Sequence, residues 1–204
     1  NGKSASASIK VEVDNPNITG AYTYNETTRP TGREETWQPT TCLVSGTCPV
    51  GTAISYKVND TTTQDFYVLK DNGATLTLIS KDSVVSSVWD ASGNNANGPR
   101  TATQALEDVT NDWINVATNT YNGSTGIGTR ARIITEAEER IVGCTNVAAS
   151  CSTWLTGSVD QWTATFNPTF SDSIWYIYDS NTRRLSTRRI DDSIGVHAII
   201  DINK

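Results

Sequence analysis

The chain has 204 residues, a formal net charge of −6, 36% hydrophobic and 19% charged residues. That charge argues against a nucleic-acid partner held through phosphates, and no apolar run approaches the ~20 residues that cross a bilayer. The length suits one large domain, or one domain plus an appendage. With no Met anywhere, Asn1 is read as a product of processing, and signal-peptide removal is the simplest route.

Residues 1–8 are mostly Gly, Ser, Ala and Lys with little to bury. Ala7, Ile9, Val11 and Val13 then alternate with Ser8, Lys10, Glu12 and Asp14, the period of a strand with one buried face. Asn15-Pro16-Asn17 ends that strand. Residues 17–41 are rich in Thr, Asn and Pro, with Tyr22, Tyr24 and Trp37 as anchors, and read as extended structure and loop. Cys42/Cys48 and Cys144/Cys151 form two close pairs. Local disulfide pairing is the favoured reading and fits an oxidising, extracytoplasmic setting. The rival is a zinc site of all four cysteines, although these gaps are wider than zinc spacing usually allows.

From Gly51 the elements come densely. Ile54–Val58 is a strand, Asn59-Asp60-Thr61 a turn, Phe66–Lys70 a strand, Asp71-Asn72-Gly73 a hairpin turn and Thr75–Ser80 the return strand. Asn-Gly between two β-rich runs is the strongest short-range hairpin signal. Val84–Trp89 is a further strand, and the loop Ala91–Gly98 follows. Pro99 opens a helix whose Ala102, Leu106, Val109, Trp113 and Val116 share one face. Residues 118–128 are a Gly/Asn/Thr/Ser loop. Arg130–Ile134 alternates as a strand, and Thr135 with Glu138 forms a T-x-x-E capping box. Glu136, Glu138 and Glu139 suit the positive end of the helix, Ile141 and Val142 supply its apolar face, and Gly143 stops it. Trp162–Phe166, Ile174–Tyr178, Leu185–Ile190 and Val196–Ile202 read as strands, with turns at Asp179-Ser180-Asn181 and Asp191-Asp192-Ser193. Two amphipathic helices in a strand-rich chain make an α+β fold, mainly antiparallel.

The order of GTAISYKVND…FYVLKDNGATLTLIS, GPRTATQALEDVTNDW, RARIITEAEERIVGC, TWL, IWYIYD and GVHAIIDINK resembles a group of secreted or surface proteins of gut Firmicutes. Members often carry a pilin-like or signal-anchored N-terminus. Their C-terminal domain is related in pattern to the C-type-lectin-like and formylglycine-generating-enzyme-like fold. The resemblance covers roughly residues 50–204 and implies a C-type-lectin-like domain over 51–204. Residues 15–50 are then an extended segment with a disulfide, and residues 1–14 an N-terminal strand extension. Calcium-dependent lectins of that fold use E-P-N or Q-P-D and W-N-D triplets. Gln38-Pro39-Thr40 and Asn111-Asp112-Trp113 match neither. The enzymes of that fold hold copper through two late cysteines, whereas Cys144 and Cys151 close a short loop. Neither activity carries over.

The remaining chemistry-bearing residues have simple structural readings. His197 is the single histidine, on a strand, with no second His for a metal or a catalytic triad. Glu34/Glu35, Glu107/Asp108, Glu136/Glu138/Glu139 and Asp191/Asp192 could supply an acid and a base, but the sequence does not bring two of them face to face. Asp90–Asn95 spaces oxygen donors as calcium loops do, yet Thr101 stands where the bidentate Glu belongs. Arg183, Arg184, Arg188 and Arg189 split between two faces of a strand and read as a charged, aggregation-resistant edge; an acidic glycan or subunit is the functional alternative. Asn17, Asn25, Asn59 and Asn122 begin N-x-[ST] sequons, which matter only where a host modifies them. Among six Trp residues, Trp89 and Trp162 lie beside polar loops and are candidate stacking platforms for a sugar, with Asn94 and Asn95 as polar contacts.

The leading expectation is an extracellular, non-enzymatic structural subunit of a bacterial surface filament that polymerises with itself, without metal or cofactor. Its assembly strand is the run Ala7, Ile9, Val11 and Val13. At ~3.3 Å per residue, residues 3–14 reach about 40 Å, and burying Ile9, Val11 and Val13 contributes roughly 5–8 kcal/mol before ordering costs. Pairing of that strand within its own domain is the rival. The alternative function is a monomeric surface adhesin that binds host or dietary glycan through loops 91–98 and 118–128.

Overall fold

The computed structural model describes residues 15–24, 37–39, 42–44, 46–152, 154–155, 160–178 and 184–204. The expected assembly strand at residues 7–14, the turn at 179–181 and Arg183 lie outside them. The described residues form eleven strands and two α-helices, an α+β fold made mostly of strands. They are β1 (Ile18–Tyr24), β2 (Trp37–Pro39), β3 (Ala53–Lys57), β4 (Thr63–Asp71), β5 (Thr75–Ser80), β6 (Val85–Ser87), α1 (Arg100–Thr110), α2 (Glu136–Ile141), β7 (Gln161–Phe166), β8 (Ser173–Tyr178), β9 (Arg184–Arg189), β10 (Ile194–Val196) and β11 (Ile199–Asn203).

The first sheet runs β11-β5-β4-β3-β1-β2 and is antiparallel throughout. Its centre follows from two turns. Asn59 Oδ1 accepts the backbone N–H groups of Thr61 and Thr62 at 3.0 and 2.7 Å, folding β3 onto β4. Asp71 Oδ1 accepts from Gly73 N–H at 2.8 Å, folding β4 onto β5. Such side-chain acceptors replace a backbone turn bond, which is why Asn and Asp stand there. β1 and β2, from the described part of segment 15–50, belong to this same sheet, and Ile18, Cys42 and Cys48 enter its core.

The second sheet runs β6-β10-β7-β8-β9, antiparallel except for the parallel contact of β10 with β7. The terminal run expected as a single strand, Val196–Ile202, is in fact two. β10 ends at Val196 in the second sheet, and β11 begins at Ile199 in the first. His197 and Ala198 are the crossing point. Ser80 Oγ takes the Ala198 N–H (3.0 Å), Ser80 N–H goes to the Ala198 carbonyl (2.8 Å), and His197 Nδ1 meets the Ser80 carbonyl (2.8 Å). The run Ile194–Ile200 carries no mark of such a switch, because both strands bury the residues on either side of it.

The first sheet is covered on both faces. Phe66 and Val68 point into one core while Tyr67 and Leu69 point into another. This gives β4 its unbroken buried run rather than an alternating one. The first core gathers Leu76, Leu78, Ile200 and Ile202 with Ala102 and Leu106 of α1, and with Trp89, Trp162 and Tyr176. The second gathers Ile79, Ile134, Ile177, Leu185 and Ile199 around Cys144 and Cys151. Both close cysteine pairs are disulfides, Cys42–Cys48 and Cys144–Cys151, as expected for an extracellular protein. No helix among the described residues is long and apolar enough to cross a membrane.

Three local expectations change. Arg130–Ile134 is extended but is not a strand of a sheet; isolated bridges tie Arg132 to Ile127 and Ile199, and the Ala131 and Ile134 carbonyls accept from Gly128 and Ala164 N–H. α1 ends at Thr110, so Trp113 and Val116 enter the core from the following turn, and Val109 is 39% exposed. α2 does have its capping box, with Thr135 Oγ1 accepting from Glu138 N–H and Glu138 accepting from Thr135 N–H. Its buried side chain, however, is Glu139, while Ile141 is 82% exposed. A six-residue helix has room for one inward position, and the cap fixes which residue takes it.

Candidate binding surface at the start of the long helix

Three loops meet at the N-terminal end of α1. Loops 91–98 and 118–128 touch through Gly98, where a Cβ would lie 1.8 Å from the Ser124 carbonyl oxygen. Gly98 has φ +75, so a side chain there is excluded by both space and backbone. Thr103 Oγ1 on α1 donates to the Pro99 and Gly123 carbonyls, at 2.6 and 3.1 Å, and so fixes loop 118–128 to the helix. The third loop is the turn between β7 and β8. Gly126, at φ +81, sits against Ala164 of β7 and Pro99, and a Cβ there would come within 2.8 Å of Ala164 Cβ. The carbonyls of Asn167, Phe170 and Ser173 all accept from the buried Asn95 amide, at 3.2, 2.6 and 2.9 Å. Asn95 N–H adds a bond to the Ser171 carbonyl at 3.1 Å. One Asn side chain therefore fastens loop 91–98 into the turn 167–173.

This assembly revises the candidate ligand contacts. Trp89 and Trp162 are fully buried, so neither is a stacking platform. They form a reciprocal clamp: Trp89 Nε1 donates to the Thr163 carbonyl and Trp162 Nε1 to the Ser87 carbonyl, each at 2.8 Å. A large indole beside a polar loop is a core residue here because its N–H has a backbone acceptor to reach. Asn95 is 5% exposed and its amide is engaged as described, so it is a structural clasp. Asn94 is exposed, and its Oδ1 accepts from Ala96 N–H.

The exposed aromatics of the surface are Phe166 at 49%, at the end of β7, Phe170 at 55%, within the β7–β8 turn, and Tyr121 at 44% on loop 118–128. Sequence reasoning passed over both Phe residues, since an aromatic in a strand reads as core. A signal was present: Phe-Asn-Pro-Thr-Phe sets two aromatics inside turn composition.

The other candidates resolve into structure. Asp90 is 5% exposed, and its carboxylate accepts from Ser92 Oγ and Asn97 Nδ2, so the calcium-like spacing is used internally. Among the described residues no group of three or more His, Cys, Asp or Glu side chains is gathered as metal ligands. Arg188 pairs with Asp160 and Asp192 and lies 5.5 Å over the Tyr176 ring, and Arg189 pairs with Asp191. These contacts neutralise much of the expected basic patch. The Asn59 amide donates to Asp112 while its oxygen serves the turn, so this sequon is consumed by the fold. Asn122 is exposed, and its Oδ1 accepts from Ser124 Oγ at 2.8 Å.

Two buried polar groups stand apart from the loops. Both Glu139 carboxyl oxygens and both Gln161 amide atoms lie buried without a hydrogen-bond partner. Burial, reinforced by the carboxylates of Glu136 and Glu138, pushes the Glu139 carboxyl well above its usual range. Burial likewise lowers the His197 imidazole, although the Ser80 carbonyl and Asp82 favour its charged form. Glu138 goes the other way. Its burial is outweighed by the Arg132 guanidinium, which holds both oxygens at 2.8 and 2.6 Å, and by Thr135. Comparison of the chain with protein-family models, curated proteins and solved structures finds no match.

Proposed function

We propose that this chain is an extracellular structural subunit of a bacterial surface filament, of pilin-like character, which joins its neighbour through the strand at residues 7–14. The observation that carries this reading is where that segment attaches. Asn15 Nδ2 donates to the Asn203 carbonyl at 2.8 Å, at the end of β11. β11 is the edge of the six-stranded sheet. Ile199 exchanges both backbone groups with Arg132, so by strand alternation Asp201 and Asn203 turn theirs to the same open side. Only residues 201–203 remain beyond that bridge, about 10 Å of edge at ~3.3 Å per residue. This open edge lies where the alternating arm of residues 7–14 enters the domain, and a neighbouring copy presents the same edge to it. Strand addition supplies affinity through backbone bonds and specificity through alternate side chains. Repeated head to tail, it builds an open filament when the rotation does not close. The two disulfides suit the extracellular setting.

The test is a chain lacking residues 1–14, followed by negative-stain microscopy and sizing. The expected result is a folded monomer that binds a synthetic 1–14 peptide, while the full chain gives fibres. Fibres from the shortened chain would overturn the reading.

A second reading is a surface adhesin for host or dietary glycan. The joining of loops 91–98 and 118–128 at Gly98 and Ser124 favours it. A glycan array with the monomeric protein separates it from the first.

A further inference from the structure

We propose that the arm of one copy seats Ile9-Lys10-Val11 against Ile200-Asp201-Ile202 of its neighbour's β11, with Lys10 opposite Asp201 setting the register. This inference rests on the filament reading and names the contact between the two copies. The edge of β11 has one open position between two filled ones. Ile199 exchanges backbone bonds with Arg132 at 2.8 and 3.0 Å, and the Asn203 carbonyl accepts from Asn15 Nδ2 at 2.8 Å. Asp201 lies between them, and among the described residues no further backbone bond reaches it from the open side.

The slot is apolar on one face and acidic on the other. Ile200 and Ile202 are buried in the first core, while Asp201 is exposed. An added strand must match that alternation, since a slip of one residue exchanges its two faces. The arm offers the pattern twice with a charge at its centre, as Ile9-Lys10-Val11 and as Val11-Glu12-Val13. Charge decides between them. Like charges side by side on a sheet oppose pairing and opposite charges favour it, so Lys10 fits and Glu12 does not. Lys10 is the single Lys or Arg of residues 7–14.

The Asp201 carboxylate is available to a cation. Its Oδ1 accepts from Thr77 Oγ1 at 2.6 Å, and it joins no ion pair among the described residues. The basic groups around it are committed or remote. Arg132 holds both Glu138 oxygens, Lys204 pairs with Asp71, and Lys70 stands two strands away in the row Lys70-Thr77-Asp201. A charge on an edge strand keeps other strands off. This one rejects strands that bring Asp or Glu and admits one that brings Lys, which is specificity by repulsion as well as attraction. The chain's own arm cannot make the same fit. Asn15 is held at Asn203, so a straight run back along β11 would bring Val13 or Asp14 to Asp201. Val13 would lay the apolar set on the acidic face, and Asp14 would set two carboxylates together. Lys10 would lie roughly 10 Å further on, at ~3.3 Å per residue, where Arg132 already fills the edge.

The experiment uses the full chain as the parent, as Lys10→Glu and as Asp201→Lys, with fibre onset followed by light scattering and negative-stain microscopy. Each single variant sets like charges together and is expected to raise the onset concentration by roughly fivefold to tenfold. Mixing the two variants restores fibres, because each arm then meets an edge of opposite charge on the other variant; a misfolded chain would not be rescued in this way. The double variant Lys10→Glu/Asp201→Lys restores them alone. Either single variant assembling at the parent's onset overturns the Lys10–Asp201 register and keeps the filament reading. Loss of fibres that neither the mixture nor the double variant recovers also overturns the register. Recovery in the double variant but not in the mixture assigns the pair to one chain and overturns the contact between copies. A parent that forms no fibres overturns the filament reading and the register with it.

Discussion

At Thr135 one hydroxyl and one carboxylate hold a helix of six residues, too short to persist on its own propensity. Thr135 Oγ1 takes Glu138 N–H at 3.3 Å, and Glu138 returns a bond to Thr135 N–H at 3.0 Å while gripping Arg132. Thr135→Ala is expected to cost about 1 kcal/mol and Thr135→Ser much less; equal shifts in melting temperature would remove the capping role. The Trp clamp makes a second single-residue case. Trp89→Phe keeps the apolar bulk but leaves the Thr163 carbonyl without the indole donor at 2.8 Å. Loss of a buried partner costs about 1–3 kcal/mol, and urea denaturation measures it. A variant as stable as the parent would show that the indole N–H contributes nothing. Both residues owe their weight to an unpaired backbone group that would otherwise be buried.

Among the elements, the β7–β8 turn and the disulfide loops are where the chain depends on a few bonds rather than on broad packing. Asn95→Ala removes the amide that serves the carbonyls of Asn167, Phe170 and Ser173. Hydrogen exchange of residues 166–174 is expected to accelerate, with β4 and β5 unchanged; uniform protection would show that the turn holds itself. Cys42–Cys48 and Cys144–Cys151 close loops with sequence separations of 6 and 7, each worth roughly 2–3 kcal/mol in the chain-entropy model. Four freely alkylated thiols in the untreated protein, read by intact mass, would contradict them. The elements also show what a linear pattern carries. Turn residues and caps were legible, because Asn59, Asp71 and Thr135 act on neighbours within three positions. Sheet membership was not. The break at His197–Ala198 lies in an apolar run whose partners, Gln161 and Ile79, are distant in sequence. The site was half legible: composition marked the loops at 91–98 and 118–128, but their contact depends on tertiary packing at Gly98. Trp89 and Trp162 were misplaced because their acceptors, Thr163 and Ser87, are some 75 residues away.

Over the whole molecule, two buried titratable groups set opposing limits on the pH range of stability. Glu139 belongs to the helix packed on β7, and His197 to the crossing between the sheets. The folded Glu139 carboxyl is raised, by burial first and then by Glu136 and Glu138, against a smaller opposing pull from Arg140. Stability from keeping it neutral is full below about pH 4.5 and is lost as pH rises through its folded value. The folded His197 imidazole is lowered by burial, against Ser80 and Asp82. Its contribution is full above about pH 6.5 and is lost as pH falls through its folded value. Each group gives a slope of about 1.4 kcal/mol per pH unit while only its unfolded form has titrated. Between about pH 4.5 and 6.5 the two act in opposite senses, Glu139 favouring the acid side and His197 the alkaline side. Above about pH 6.5 His197 no longer offsets Glu139. On the acid side the paired carboxylates Glu138 and Asp71, both lowered in the fold despite their desolvation, by Arg132 and Lys204 respectively, act in the same sense as His197. The measurement is the unfolding free energy from urea titrations at several pH values. Glu139→Gln, which keeps the shape and removes the proton, is expected to flatten the alkaline limb and leave the acid limb in place. His197→Gln does the reverse, and the slope rather than the absolute stability is compared, so a general loss of packing does not obscure the result. An alkaline limb of the same steepness in Glu139→Gln would show that this carboxyl finds a partner when it ionises, and that the second core is less closed than its packing indicates.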